Sequence, residues 1–286
     1  MAAIRTQRPM RWLWAPGAAV ALSVAGLWSL QDRLIYQPPS PRPAAVAAAR
    51  SVGRDVKSTI TSGGRTLAQV SFYIPAEQQP ARRLWLVFHG NGSLATDWLD
   101  LAAKLRSVKP EGVDVLLVEY PGYGLSAGKP SPETIRAASD AAFAELARML
   151  GEQPGDLARR TGVMGHSLGC AAALQFAASH DVREVILVAP FTSLKDMARV
   201  RVGWPLCRLL QSNFDNRGRL REAMARRSAT KVTILHGSRD RIVPQRMGRE
   251  LAHSNTSIRF ISLEGAGHGD IPHDGPDGLV ALMTGG

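Results

Sequence analysis

Three residues far apart in the chain could together cut an acyl bond: Ser167 in Gly165-His166-Ser167-Leu168-Gly169, Asp240 in the run Leu235 to Pro244, and His268 in Gly265-Ala266-Gly267-His268-Gly269. A serine hydroxyl attacks carbonyls only when a neighbouring base takes its proton. An imidazole does that work best when an ionised carboxylate fixes its tautomer and stabilises the cation it becomes. His268 is therefore expected to be the general base and Asp240 the acid that orients it. The glycines flanking Ser167 would permit a sharp turn that exposes the hydroxyl and aims the Leu168 amide at a developing oxyanion. By average composition, a chain of this length shows such a pentapeptide by accident about one time in ten. The pentapeptide thus needs its distant partners, and they arrive in the order Ser, Asp, His, each after an apolar run.

Other titratable groups compete for these roles. Glu264, Asp270 and Asp274 could each replace Asp240 as the orienting acid. His89, His166 and His236 stand beside sharp turns and are assigned to shaping them, since His268 already fills the proton-transfer post. Ser126 and Ser193 read as turn or capping residues. Cys170 and Cys207 are too few for a disulfide scaffold and lack metal-ligand spacing, so free thiols are expected.

The elements that must position these groups alternate between strand and helix patterns. Asp55 to Thr61 and Leu67 to Ile74 predict a hairpin around Ser62-Gly63-Gly64. Apolar runs at Leu84 to Phe88, Val113 to Glu119, Gly162 to Met164, Val185 to Val188, Val232 to Leu235 and Ile258 to Leu263 read as buried strands. Helical stretches separate them, such as Ser131 to Leu150, which opens with Ser-Pro-Glu: a cap, then proline at the first helical position. The pattern predicts an α/β fold with a mostly parallel sheet covered on both faces, and its site beyond the carboxyl ends of the strands. Residues 191–230, the least strand-like part, are expected to form a small cap over Ser167. There Met197, Trp204, Leu206, Leu209 and Phe214 make a core or cap face, and nine cations (Lys195, Arg199, Arg201, Arg208, Arg217, Arg219, Arg221, Arg226 and Arg227) make either a solvated helix face or a surface for anionic lipid.

With 286 residues, 45% hydrophobic and 21% charged, the chain can bury one sizeable core. A formal charge of +11 would suit nucleic acid, but no RNA- or DNA-binding motif accompanies it, so that class of partner is set aside. From Trp12 to Leu30 the chain carries no charge for 19 residues, close to the ~20 that span a bilayer's hydrocarbon layer. Arg5, Arg8 and Arg11 precede this run, and Trp12, Trp14 and Trp28 sit near its ends. Residues 1–31 are therefore expected to be a membrane anchor with the remainder on the non-cytoplasmic side. A cleaved signal peptide, cut after small residues such as Ser23 and Ala25, is the competing reading and would release a secreted or periplasmic protein. The Pro/Ala-rich residues 32–54 read as a stiff linker, and residues 55–286 as the catalytic domain.

These segments resemble the α/β-hydrolases over roughly Asp55 to His268, especially the small membrane-anchored abhydrolase-domain serine hydrolases. Those proteins share an anchor followed by a segment like Arg33-Leu34-Ile35-Tyr36-Gln37-Pro38. Further matches are His89-Gly90-Asn91-Gly92, Tyr120-Pro121-Gly122-Tyr123-Gly124-Leu125-Ser126, Ala189-Pro190-Phe191-Thr192-Ser193-Leu194 and Phe214-Asp215-Asn216. The resemblance implies hydrolysis of an ester or thioester; the expected substrate is a small acyl ester or a lipid-like molecule, and no metal or organic cofactor is needed. It also implies that the backbone amide of Asn91 joins that of Leu168 as the second oxyanion donor. Peptide-bond cleavage by the same groups, and a catalytically silent binding protein on the same fold, stay open as alternatives. The chain departs from the family in Arg241, where an acidic residue is usual, and after His268, where only the brief, glycine-flanked stretch Leu279 to Met283 stands in place of the longer closing helix, which leaves the C-terminal packing open.

Overall fold

In the computed structural model, the described residues are 31–33, 35–108, 112–204, 206–210, 213–227, 229–270 and 276–285. Eight strands form one sheet in the order β1-β2-β4-β3-β5-β6-β7-β8. They are β1 (Arg54–Ser62), β2 (Arg65–Ile74), β3 (Arg83–Phe88), β4 (Val113–Val118), β5 (Thr161–His166), β6 (Glu184–Val188), β7 (Lys231–Gly237) and β8 (Arg259–Leu263). The first two pair antiparallel across the expected hairpin, whose turn residues Gly63 and Gly64 have φ of 56° and 70°. A two-residue turn with both φ positive matches the right-handed twist of its strands, which is why the sequence supplies glycine twice. From β4 to β8 every pairing is parallel. The central strands are mostly apolar because helices cover both faces; every residue of β4 and β6 is buried, Asp114 and Glu184 included.

The helices are α1 (Pro43–Val52), α2 (Leu99–Arg106), α3 (Pro132–Leu150), α4 (Pro154–Arg159), α5 (Leu168–Ser179), α6 (Leu194–Val202), α7 (Asn216–Arg226), α8 (Gln245–His253) and α9 (Pro276–Thr284). α3 follows its sequence signals closely. The Ser131 hydroxyl accepts from the Thr134 amide, Pro132 opens the helix, and Gly151 closes it in the left-handed region at φ 70°. α5 is buried from Leu168 to Ala178, and its run of alanines lets it lie close against the sheet behind Ser167.

Three expectations require correction. Residues 43–52, within the supposed stiff linker, form α1, because proline at the first turn leaves the alanines behind it free to be helical. Ala49 is fully buried against the domain, and Tyr36 is buried in the main core. The cap is smaller than 191–230: only its first half, α6 and the 3-10 turn Leu206–Leu209, stands apart, whereas α7 packs on α5 through Leu220 and Ala223 as part of the helical layer. The cationic face divides with it. Arg217 pairs with Asp196 and Glu250, and Arg219 with Glu222. Finally, the short C-terminal stretch, whose packing the sequence left open, closes the fold as a helix longer than Leu279 to Met283. In α9, Leu279 and Met283 are buried, and the Met283 carbonyl accepts from the Trp85 indole at 3.0 Å and from Arg83 at 3.1 Å.

Among the described residues no helix is long and apolar enough to cross a membrane. The apolar run Trp12–Leu30 and the candidate acid Asp274 lie outside the described residues.

Candidate active site

β5 ends in a turn that few residues tolerate. Ser167 has φ 54° and ψ −115°, a strained conformation for any residue with a Cβ, and it is held there by its amide donating to the Val188 carbonyl at 2.9 Å. The glycines on either side are required by space. A Cβ on Gly165 would lie 2.2 Å from the Gly169 carbonyl oxygen, and one on Gly169 would lie 2.1 Å from that of Phe88. Ser167 is also the N-cap of α5, so the Leu168 amide has no carbonyl partner within its helix and lies at the positive end of the helix dipole.

Asp240 and His268 sit on the loops after β7 and β8. His268 Nδ1 is 2.7 Å from Asp240 Oδ2, so Nδ1 carries the proton that it donates and Nε2 is the nitrogen left to act as base. The carboxylate is fully enclosed: Oδ1 accepts from the amides of Ile242 at 2.8 Å and Val243 at 2.9 Å, and His236 Nε2 lies 3.4 Å from Oδ2. Burial alone would raise the pKa of Asp240. The hydrogen bonds from His236 and His268, the charge of His268 and the Val243 amide outweigh it and hold the carboxyl well below the ordinary carboxylate range.

The competing acids point elsewhere. Asp270 accepts from the Gly267 amide at 2.7 Å and so braces the histidine loop, while Glu264 accepts from the Ser262 hydroxyl. His236, His166 and His89 each bond or pack against the loops around this site. His236 is buried with Nε2 against the Val243 carbonyl at 2.9 Å, which ties both ends of the Asp240 loop together. His166 Nε2 bonds the His268 carbonyl at 3.0 Å, and its ring fits against Gly90, where a Cβ would come within 2.9 Å of Nδ1. It thus joins the loop of Asn91 to the loop of His268. His89 is buried beside Glu119, 2.7 Å from Nε2 to Oε1, and stacks on Tyr120, whose hydroxyl donates to the His89 carbonyl at 2.7 Å. Both cysteines are free and buried; burial pushes the Cys170 thiol far up, which makes it inert beneath the elbow.

The sequence pattern of the alpha/beta hydrolase family matches residues 85–228. An uncharacterised protein of Mycobacterium tuberculosis is 31% identical over 259 residues, which cover 88% of this chain and 87% of that one. The chain belongs to the alpha/beta hydrolase family. Human alpha/beta hydrolase domain-containing protein 17C is 26% identical over 198 residues, covering 67% of this chain but only 55% of that protein. Among solved structures, the Pyrococcus furiosus esterase Pf2001 superposes with a TM-score of 0.63 at 15% identity (87% and 94% of the two chains). The thioesterase domain from the curacin biosynthetic pathway does so with 0.52 at 16% identity (80% and 99%). These two likenesses establish the fold.

In this alpha/beta hydrolase two cavities meet at Ser167. One of about 390 Å³ is bordered by Gly90, Asn91, Trp98, His166, Ser167 and His268, so candidate nucleophile and candidate base face the same space. The other, about 530 Å³, is mostly apolar and runs from Ser167 and Leu168 past Phe191, Leu194, Met197 and Val202, under α6. A larger groove of about 1030 Å³ between β7, β8 and α9 holds neither Ser167 nor His268. Among the described residues no three His, Cys, Asp or Glu side chains converge as a metal ion would require. Sequence reading missed Ile242 and Val243 as cavity walls, and it missed the partners of the Asn91 side chain. Only a hydrophobic pair after the acid's loop hinted at the first, and nothing local could reveal the second.

Proposed function

We propose that this protein is a serine hydrolase that cleaves carboxylic esters or thioesters through an acyl-Ser167 intermediate, tethered to a membrane by residues 1–31. The observation that carries the reading is the strained elbow at Ser167 opening on a cavity shared with an imidazole already bonded to a buried carboxylate. Strain of this kind persists only where the surrounding structure holds it, and such residues cluster at active sites.

His268 Nε2 takes the proton of Ser167 as Oγ attacks the substrate carbonyl, and Asp240 stabilises the imidazolium. The amides of Leu168 and Asn91 receive the oxyanion. His268 then protonates the departing alcohol or thiol, leaving the acyl group on Oγ. Water attacks that acyl group with His268 again as base, which releases the acid and restores the hydroxyl. The mostly apolar cavity under α6 suits an acyl chain, and a 19-residue uncharged run before Gln31 suits an anchor that brings the site to lipid-like substrates.

A fluorophosphonate probe tests the chemistry. Labelling of the full chain that is absent in Ser167→Ala supports it, whereas no adduct on folded protein, or an adduct that survives the substitution, defeats it. Panels of acyl esters, acyl thioesters and peptides then identify the leaving group, and turnover of peptides alone would replace the ester reading. Tethering is tested by carbonate extraction of membranes, where release of full-length protein contradicts an embedded helix.

A further inference from the structure

Gln31 and the residues Ile35 to Gln37 precede β1, yet they reach the site. Gln31, Ile35 and Gln37 border the apolar cavity opposite α6, with Ser167 at its floor. Tyr36 anchors the segment: its ring is buried in the main core, and its amide closes a helical turn on the Asp32 carbonyl at 2.8 Å. The side chain of Asn91 fastens the segment to the loop after β3. Nδ2 donates to the Ile35 carbonyl at 2.6 Å, while Oδ1 accepts from the Gln37 amide at 3.0 Å and from the Tyr123 hydroxyl at 2.7 Å. Three of the four hydrogen-bonding sites of this amide are therefore filled, all by partners at least 32 residues away.

That arrangement has a mechanical meaning. Asn91 stands between Gly90 and Gly92, and a backbone flanked by two glycines has little stiffness of its own. An oxyanion donor is effective only if it is held in place before the charge develops. His89 and Ser93 bond the Gly90 carbonyl before it, and at Asn91 itself the backbone is held through the side chain, clamped between Tyr123 on one side and Ile35 and Gln37 on the other.

We propose that Gln31, Ile35 and Gln37 are part of the active site, walling the acyl cavity, and that Ile35 and Gln37 fix the oxyanion loop through the side chain of Asn91. Asn91 is then a positioning residue through its side chain as well as a donor through its backbone. The stretch of chain just beyond the apolar run Trp12–Leu30 becomes the element that links attachment to catalysis. This rests on the ester-hydrolase reading above.

The test uses the full chain in detergent with p-nitrophenyl acetate and p-nitrophenyl octanoate, and follows kcat and KM separately together with the melting temperature. Asn91→Ala keeps the backbone amide but releases the clamp. kcat should fall about ten- to hundredfold on both esters with KM little changed, the size of loss expected when a catalytic group is misplaced by about an ångström. Tyr123→Phe removes one neutral hydrogen bond to the clamp, and kcat should fall about fivefold. Ile35→Trp fills the wall: the ratio of kcat/KM for the octanoate to that for the acetate should drop at least about tenfold, as expected when a large side chain is forced into a packed apolar space. An Asn91→Ala protein that melts earlier yet keeps wild-type kcat overturns the positioning role. An Ile35→Trp protein that treats both esters alike overturns the wall. Should Asn91→Ala fail to fold, Tyr123→Phe and Ile35→Trp decide. Wild-type protein that hydrolyses neither ester overturns the ester reading itself, which these variants cannot mimic.

Discussion

Gly169→Ala is the substitution for which the geometry gives the sharpest expectation. The added Cβ would sit 2.1 Å from the Phe88 carbonyl oxygen, 2.6 Å from its carbon and 2.7 Å from the His89 oxygen, all backbone atoms with no rotamer to escape into. Real Cβ contacts are essentially never closer than 3.0 Å, so β3 and α5 must separate by about 0.9 Å beside the proposed oxyanion donors. Overpacking a dense interior typically costs about 1–3 kcal/mol. A misplacement near 1 Å can cost about 100-fold in rate, and complete loss of one oxyanion donor about 100- to 1000-fold. The expected outcome is a folded protein with a lower melting temperature and kcat reduced about 100-fold on a short p-nitrophenyl ester. Fluorophosphonate labelling should be slowed to a similar degree. Gly155→Ala, where nothing lies within 4 Å of the new atom, is the matched control and should keep wild-type activity. If Gly169→Ala turned over ester within about threefold of wild type, the view that this close approach sets the donor geometry would be refuted, since a shift of this size is expected to cost about 100-fold.

The remaining predictions concern Asp240, Cys170 and Trp85. Asp240→Asn should lower kcat by about 10,000-fold, because a carboxamide presents the wrong partner to His268 Nδ1–H; a loss below about tenfold would remove Asp240 from the role. The folded-state pKa of Asp240 is depressed, so its contribution to stability is complete above the unfolded-state value of about 3.9 and is lost as pH falls through the folded value. Thermal melts should show the advantage of wild type over Asp240→Asn narrowing only below about pH 4. Alkylating reagents should leave native activity intact and modify Cys170 only after unfolding, and rapid inactivation of the folded protein would contradict the inert buried thiol. Trp85→Phe loses the bond to the Met283 carbonyl and should cost about 1–3 kcal/mol in denaturant melts without changing KM; unchanged stability would mean that α9 closes the fold without that bond.

Much of the site was legible because its chemistry imposes local constraints. Gly165 and Gly169 are demanded by contacts at 2.2 and 2.1 Å, so the turn leaves its signature within five residues. The Gly63-Gly64 hairpin and the Ser131-Pro132 helix start are legible for the same reason: one backbone conformation admits few residue types. The cap was overestimated because α7 carries Leu220 and Ala223, its buried pair, among Arg217, Arg219, Arg221 and Arg226, and those charges obscure a face of only two residues. In the linker, Pro38, Pro39, Pro41 and Pro43 were read as one stiff run, although the last of them begins a helix.

What stayed hidden shares a different property: its partners are remote in sequence. Asn91 in a glycine-flanked turn reads locally as a turn former, yet its amide is committed to Ile35, Gln37 and Tyr123. Gly248 reads as a flaw in a helix, but a Cβ there would press 2.4 Å from His236 Nδ1, the ring that steadies the Asp240 loop. In both cases the groups proposed to touch reactants are written in short motifs, and the groups that hold them still are written across the chain. A hydrolase site of this kind can therefore be located from its motifs, but its precision depends on long-range packing. Substitutions that disable it without touching Ser167, Asp240 or His268 should concentrate at positions such as Asn91, Tyr123 and Gly248.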